Sequence, residues 1–316
     1  MENFWTKLNK PFTALAPMED VTDFVFREIL AEIARPDVFF TEFANVTGLI
    51  SEGKEFVERR LKYSEKQRPV VAQIWGSEPK DYHEAAKYIS SLGFDGIDIN
   101  MGCPQKKVVK TKGGAALIKY PELAKEIIEA TKEGAPNLPI SVKTRIGYGT
   151  IKTEEWTRHL LNQDLAALTI HGRTRKQMSK GRANWEEIKK AVEIRDEVAP
   201  NTLIVGNGDV ENYQQAKEKA KEYRVDGVMI GRGIFTNPWA FEKEAKEHTK
   251  EEYLRLLIKH TKLFEATWEE KKNFAIMKKF FKIYVRNFDG AGELRKKLME
   301  CESHAQVKNL VEKQLC

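Results

Sequence analysis

The chain has 316 residues, of which 41% are hydrophobic and 32% charged, with a formal net charge of +6. This is ordinary globular composition, sized for one large domain or one large and one small domain. No stretch approaches the roughly 18 apolar residues of a membrane span, and MENFWTKLNKPF lacks a signal-peptide core, so a soluble, cytoplasmic protein without a membrane partner is expected.

In chain order, short apolar runs recur at PFTALAPM (11–18), VFFTE (38–42), VVAQIWG (70–76), GIDINMG (96–102), ISVKTRIG (140–147), AALTIHG (166–172), LIVGNGD (203–209) and GVMIGRG (227–233). Helical patterns separate them. EPKDYHEAAKYISSLG, for example, has proline early, apolar residues at helical spacing and glycine at its end. Eight nearly continuous apolar strands alternating with helices predict an α/β fold, a (β/α)8 TIM barrel over residues 1–245. A doubly wound open sheet is the alternative. Against it, no G-x-G-x-x-G follows the first strand, and polar residues are spread over all the strand ends.

Residues 246–316 show no convincing strand and predict an appended helical domain. Within it, Phe274, Met277, Phe281, Tyr284 and Phe288 follow helical spacing across 271–288, with Lys271, Lys278, Lys282 and Arg286 on another face. That basic face reads either as solvated surface or as a contact for a phosphate backbone. The net positive charge permits a polyanionic partner without requiring one.

The predicted strand ends carry Met18, Gln73, Asn100, Lys143 and His171. Glutamine can both donate to and accept from a ring edge, lysine can stabilise an anion formed on an electron-accepting ring, and histidine can donate similarly. Each has an ordinary reading too: Met18 as core, Gln73 bonding a loop, Lys143 paired with a barrel carboxylate, His171 as structure. The loops after the last two strands, NGD (207–209) and GRG (231–233), have the composition of a barrel's phosphate site. Glycine lets backbone amides approach phosphate oxygens, Asp209 is placed to cap the next helix, and Arg232 supplies a charged fork. Together these residues suit a flavin mononucleotide.

Cysteines occur only at Cys103, Cys301 and Cys316, too few and scattered for a disulfide framework or a structural metal site, and no metal is expected. Cys103 stands on a Gly-Cys-Pro turn before Lys106 and Lys107. A thiol there reads as a small buried apolar group or as an acid, and nearby lysines could lower its pKa.

APMEDVTD (16–23), AQIWG (72–76), DINMGCPQKKV (98–108), GGAALI (113–118), KTRIG (143–147), LTIHGRTR (168–175), NGD and MIGRG together resemble the tRNA-dihydrouridine synthases, especially the bacterial branch with NMGCP followed by KKV. The resemblance covers nearly the whole predicted barrel. It implies an FMN-dependent, NADPH-driven enzyme that reduces uridine in tRNA, hydride passing from FMN to C6 and a proton from Cys103 to C5. By the same resemblance Ala16, Pro17, Met18, Gln73, Lys143 and His171 contact the flavin ring or its chain. Asn207, Gly208, Asp209, Gly231 and Arg232 would hold the chain and phosphate. Asn100 is the candidate to position the pyrimidine. Lys106, Lys107, Arg173, Arg175, Lys278, Lys282 and Arg286 are candidate tRNA contacts, Lys106 and Lys107 reading equally as a solvated loop. A monomer is expected. The competing functions are an FMN barrel acting on a free pyrimidine and an RNA-binding protein without catalysis.

Overall fold

The computed structural model describes residues 3–315, so Cys316 lies outside the described residues. Nine parallel strands are present: β1 (Phe12–Leu15), β2 (Phe39–Phe40), β3 (Ala44–Asn45), β4 (Val70–Trp75), β5 (Gly96–Met101), β6 (Ile140–Arg145), β7 (Ala167–His171), β8 (Leu203–Asn207) and β9 (Gly227–Ile230). The sheet runs β1-β9-β8-β7-β6-β5-β4-β2, with two-residue β3 also paired to β4. A parallel bridge between Ala14 and Val38 joins β1 to β2 and closes the ring. The predicted (β/α)8 barrel is therefore observed, and the open sheet is not.

One predicted strand is shortened. The run 38–42 yields only β2, with β3 following beyond it at 44–45, because Thr41 interrupts the ladder: its amide donates to the Val71 carbonyl at 3.0 Å while its hydroxyl, not its carbonyl, accepts from the Gln73 amide at 3.0 Å.

Residue parity explains how the barrel builds its site. Side chains alternate between the two faces of a strand. Val70, Ala72, Ile74, Ile97, Ile99, Val142, Leu168, Ile170, Ile204 and Ile230 join the large apolar cluster beneath the helices. The intervening Phe12, Ala14, Ala16, Val71, Ala167, Leu203, Val205 and Met229 form a second, inner cluster capped by Trp5. Continuing the inner parity toward the strand ends brings Gln73, Asp98, Asn100, Ser141, Lys143, His171 and Asn207 to the interior face. The polar tier thus sits on an apolar plug, as register pairs such as Gln73 with Asp98 and Asn100 with Lys143 require.

Helices of the tail occupy Lys250–Trp268, Phe281–Tyr284, Ala291–Leu298 and His304–Glu312. The first starts with a capping box, in which the Thr249 side chain and Glu252 satisfy each other's backbone amides. It packs on the helix Phe24–Ile33: the Phe26 ring lies 5.5 Å from that of His260, and Trp268 Nε1 donates to Asp23 at 2.9 Å. Tail and barrel share one apolar cluster.

The expected single helix over 271–288 is not formed. Phe274–Phe280 is a 3-10 run, one α-turn follows at Phe281–Tyr284, and Asn287 adopts φ +59°. Phe280, Phe281, Ile283, Tyr284 and Val285 are all buried while Lys279 and Lys282 are exposed, so the buried positions run almost consecutively and do not follow one helical stripe. Consequently Lys271, Lys278, Lys282 and Arg286 do not form one helical face. Among the described residues no helix is long and apolar enough to cross a membrane.

Candidate active site

A cavity of about 980 Å³ opens at the C-terminal ends of the strands. Ala16, Pro17, Met18, Gln73, Asn100, Cys103, Lys143, His171, Asn207, Gly208, Asp209, Gly231 and Arg232 all line it, together with Arg173. Lys106 and Lys107 begin the short helix Lys106–Lys110 and are exposed outside the lining.

Four bonds hold the Cys103 turn. Asn100 Oδ1 accepts from the amides of Gly102 at 3.1 Å and Cys103 at 2.9 Å. Arg145 Nε donates to the Gly102 carbonyl at 2.6 Å, and the Ala115 amide donates to the Cys103 carbonyl at 3.0 Å. The last contact requires glycine beside it: Gly114 has φ +57°, and a Cβ there would fall 2.8 Å from the Cys103 oxygen. Burial pushes the Cys103 thiol above its ordinary pKa, against the opposing pull of the Gln105 amide, Arg145 and Lys143. Lys106 and Lys107 do not govern it, and the alternative in which they lower its pKa does not hold.

Lys143 is half-buried, with Nζ 3.1 Å from Asn207 Oδ1, and burial lowers its pKa to about 8, helped by Arg145. Burial and then four cations, Lys143, Arg145, Arg173 and Arg232, keep His171 neutral by lowering its pKa well below 6.5. Arg173 Nη1 lies 3.1 Å from His171 Nε2, and a guanidinium can only donate. The imidazole proton therefore resides on Nδ1.

At the other end of the cavity stand the β8 and β9 loops. Gly231 faces the segment after β1, where a Cβ would sit 3.4 Å from Ala16 Cβ and 3.8 Å from Met18 Sδ. Arg232 is 57% exposed and its Nη2 reaches Asp209 Oδ1 at 3.0 Å. Asp209 does not cap the next helix, a role that Asn212 fills by accepting from the Gln215 amide. Asp209 instead has φ +54° and takes Arg173 Nη2 on both carboxylate oxygens at 2.6 Å. Small residue, apolar wall and exposed guanidinium fit a phosphorylated ring compound.

Several expected RNA contacts are placed differently. Arg173 is 2% exposed and spends its donors on Asp209, His171 and the carbonyls of Lys180 and Gly181, so it offers nothing to a phosphate outside. Arg286 is tied to the Thr236 carbonyl at the cavity rim. Lys278 is half-buried and Lys282 exposed, both outside the cavity lining. Arg175 lies over the Tyr148 ring at 5.3 Å.

Sequence reading missed Asp98, Ser141 and Arg145. The missing signal is parity: Asp98 is two residues before Asn100, and Ser141 and Arg145 flank Lys143 at the same spacing. It also missed Glu19, Asp20 and Glu42, whose carboxylate oxygens lie within 4.8 Å of one another beside the cavity. Cations already face this group: Arg60 Nε on Glu19 at 3.0 Å, Lys272 on Glu42 at 3.7 Å and Lys279 on Asp20 at 3.9 Å.

The chain is similar to a probable tRNA-dihydrouridine synthase of Staphylococcus aureus (strain COL), 51% identical over 314 residues covering 98% of this chain and 95% of the relative. It is likewise similar to a probable tRNA-dihydrouridine synthase 2 of Bacillus subtilis (strain 168), at 49% identity and 98% and 96% coverage. In fold alone it resembles a 2-naphthoyl-CoA reductase complex with 2-naphthoyl-CoA, with TM-score 0.55, 10% identity and 73% and 49% coverage. TcOYE with pHBA is a second likeness in fold, with TM-score 0.52, 12% identity and 76% and 91% coverage. The family model for dihydrouridine synthase (Dus) matches residues 14–316, and this chain belongs to that family.

Proposed function

We propose that this protein reduces the C5–C6 bond of a uridine in tRNA to 5,6-dihydrouridine, using FMN with NADPH as the electron source. The observation that carries this reading is a protonated thiol, Cys103, fixed on a braced turn in the same cavity as Lys143, neutral His171 and the Gly231–Arg232 loop. The relatives' names supply the tRNA.

Gly231 and Arg232, with Asn207 and Gly208, would hold the phosphate and chain of FMN, and Lys143 and His171 Nδ1–H its ring. The chemistry such a bound, reduced flavin would supply is a hydride for the base. The remaining chemistry belongs to the chain. Cys103 Sγ gives its proton to C5 of the base, and the thiolate left behind is stabilised by Arg145 and Lys143. Lys143 also supplies positive charge to the reduced ring. A base stacked within folded RNA cannot reach this depth, so the uridine enters flipped out, with Asn100 at the cavity wall to position it. Residues 246–316, Arg286 at the rim among them, are the proposed RNA-holding unit.

The test is reduction of tRNA lacking dihydrouridine by the purified protein with FMN and NADPH, read by mass spectrometry of the nucleosides. Dihydrouridine in tRNA is expected. Turnover of free uridine or uracil with none of tRNA would replace this reading by a small-molecule reductase.

A further inference from the structure

Asp98 is fully buried on β5, facing the barrel interior at the parity of Asn100. Ser141 Oγ donates to its Oδ1 at 2.7 Å and Gln73 Nε2 to its Oδ2 at 2.7 Å. Gln73 Oε1 in turn accepts from Asn100 Nδ2 at 2.9 Å, leaving Asn100 Oδ1 for the amides of Gly102 and Cys103. Burial pushes the Asp98 carboxyl up to about 6, opposed by the Ser141 and Gln73 bonds and by Lys143, so it is ionised at neutral pH.

The direction of this relay follows from what each member can do. A carboxylate only accepts, and backbone amides only donate. The carboxamides between them have nearly the same shape either way round, so packing alone does not orient them. With an acceptor at one end and donors at the other, each of the two amides has one satisfying orientation. Removing the acceptor leaves a buried Gln73 N–H without a partner and frees the Gln73 side chain to turn.

We propose that Asp98 is the positioning residue of the Cys103 turn, anchoring through Gln73 and Asn100 the peptide that aims the thiol into the cavity. The proposal rests on the reading of Cys103 as the proton source only for its catalytic meaning. Its structural content stands separately. One consequence concerns the substrate edge: both lone pairs of Asn100 Oδ1 are occupied, so Asn100 meets a ligand only through its second Nδ2–H and requires an acceptor there, such as a ring carbonyl.

The experiment is hydrogen exchange at the amides of Gly102 and Cys103 in the full chain. Asp98→Leu keeps the branching and heavy-atom count of the side chain, with methyls in place of the oxygens, but removes the acceptor, and is expected to speed exchange at both amides at least tenfold while amides of β8 keep their protection. Asp98→Asn can accept from Gln73 with its carbonyl and donate to Ser141 Oγ, and is expected to stay within about threefold of the parent. Equal protection in the parent, the Leu and the Asn variants overturns the proposal, because a residue that only fills space predicts that result. Should Asp98→Leu not fold, Gln73→Glu sets two acceptors against each other, and adding Asp98→Asn restores a donor. Loss and then recovery of protection supports the relay, and loss without recovery overturns it. Protection that falls as expected, in a protein whose Cys103→Ala variant still makes dihydrouridine at the parental rate, would keep the positioning role and remove the acid role.

Discussion

Arg173 grips both carboxylate oxygens of Asp209 through one nitrogen, at 2.6 Å each, and joins the β7 loop to the β8 loop in the lining of the cavity. The arginine is buried while its partner is 37% exposed, so the pair sits at the boundary between wall and solvent. Removing the guanidinium leaves Asp209 only the Ala183 amide and Arg232, and takes the side-chain donor from the Gly181 carbonyl. Arg173→Ala is therefore expected to cost about 3 kcal/mol, the lower end for breaking a buried pair, since solvent compensates the exposed half of Asp209. Arg173→Lys should recover less than half of this, because an ammonium cannot span Asp209, Gly181 and His171 at once. Urea unfolding of the three proteins measures it, and an unchanged midpoint for Arg173→Ala would refute the bracing role.

Arg232 differs from Arg173 in being exposed and holding Asp209 by a single bond of 3.0 Å. Because Arg173 already satisfies Asp209, Arg232 can swing to a ligand phosphate without leaving a bare carboxylate. Arg232→Glu is expected to purify with less than a tenth of the parental flavin, with an apoprotein that melts at the same temperature as the parental apoprotein, since it replaces an attractive contact to phosphate by a repulsive one. Absorbance of the bound flavin against protein concentration checks this, and full occupancy would move the phosphate elsewhere.

Much of this site was legible in the sequence for a simple reason. Gln73, Asn100, Lys143, His171 and Asn207 interrupt apolar runs near their ends, and the barrel's strand ends converge on one cavity. Asp98 carries the same parity as Asn100 but sits between two isoleucines, where it reads as part of the strand. The pairing of Asp209 with Arg173 spans 36 residues and is invisible to local signals, which favoured a helix cap instead. In the tail, helical periodicity failed for a different reason. Tertiary packing buries the almost consecutive Phe280, Phe281, Ile283, Tyr284 and Val285 and leaves Lys282 among them exposed, so a stripe at three- and four-residue spacing was the wrong template.

Glu42 links that tail to the barrel and makes stability depend on pH. Its carboxyl is raised from 4.5 to about 7 by burial, with Lys272 opposing and Asp23 and Glu19 adding to the rise. The folded chain thus keeps a proton that the unfolded chain releases, so this group favours folding at low pH and that contribution is lost as pH rises through about 7. Glu42→Gln is neutral throughout. The stability of the variant relative to the parent should accordingly climb between about pH 5 and pH 7 and then level off. His260, lowered to about 4 by burial, titrates in both proteins and cancels in the difference. A flat difference across this range would show that Glu42 stays ionised in the fold.

RNA binding should divide into two kinds of contact around Tyr148. Its half-buried ring lies between Lys119 at 5.2 Å and Arg175 at 5.3 Å, beside a second groove of about 800 Å³ that Lys152 and Arg158 also line. Rings flanked by cations suit an unstacked base with its phosphates. Lys119→Glu and Arg175→Glu should each weaken tRNA binding and lower the salt slope by about one. Tyr148→Ala should cost about 1–3 kcal/mol with the slope unchanged, as stacking releases no counterions. Titrations at several salt concentrations separate the two, and unaltered affinity in all three variants would place the RNA on another face.

For Cys103, position and protonation make one joint prediction. Burial raises its pKa, so the thiol is held as an acid at neutral pH, and Arg145 and Lys143 oppose that rise. Alkylation at the Cys103 peptide should therefore reach half its maximal rate above the ordinary thiol pKa, and Arg145→Met should move that midpoint higher still because it removes a cation that favours the thiolate. Cys103→Ala deletes the acid while Asn100, Arg145 and Ala115 still hold the backbone of the turn, as none of them bonds the sulfur. Flavin binding and oxidation of NADPH should persist, and dihydrouridine formation should fall about 10²- to 10⁴-fold, the usual worth of a positioned general acid. Equal loss of flavin reduction and of product would instead mark Cys103 as part of the cofactor's support, and parental product yield would assign the proton to another group, with His171 Nδ1–H the next donor in the cavity.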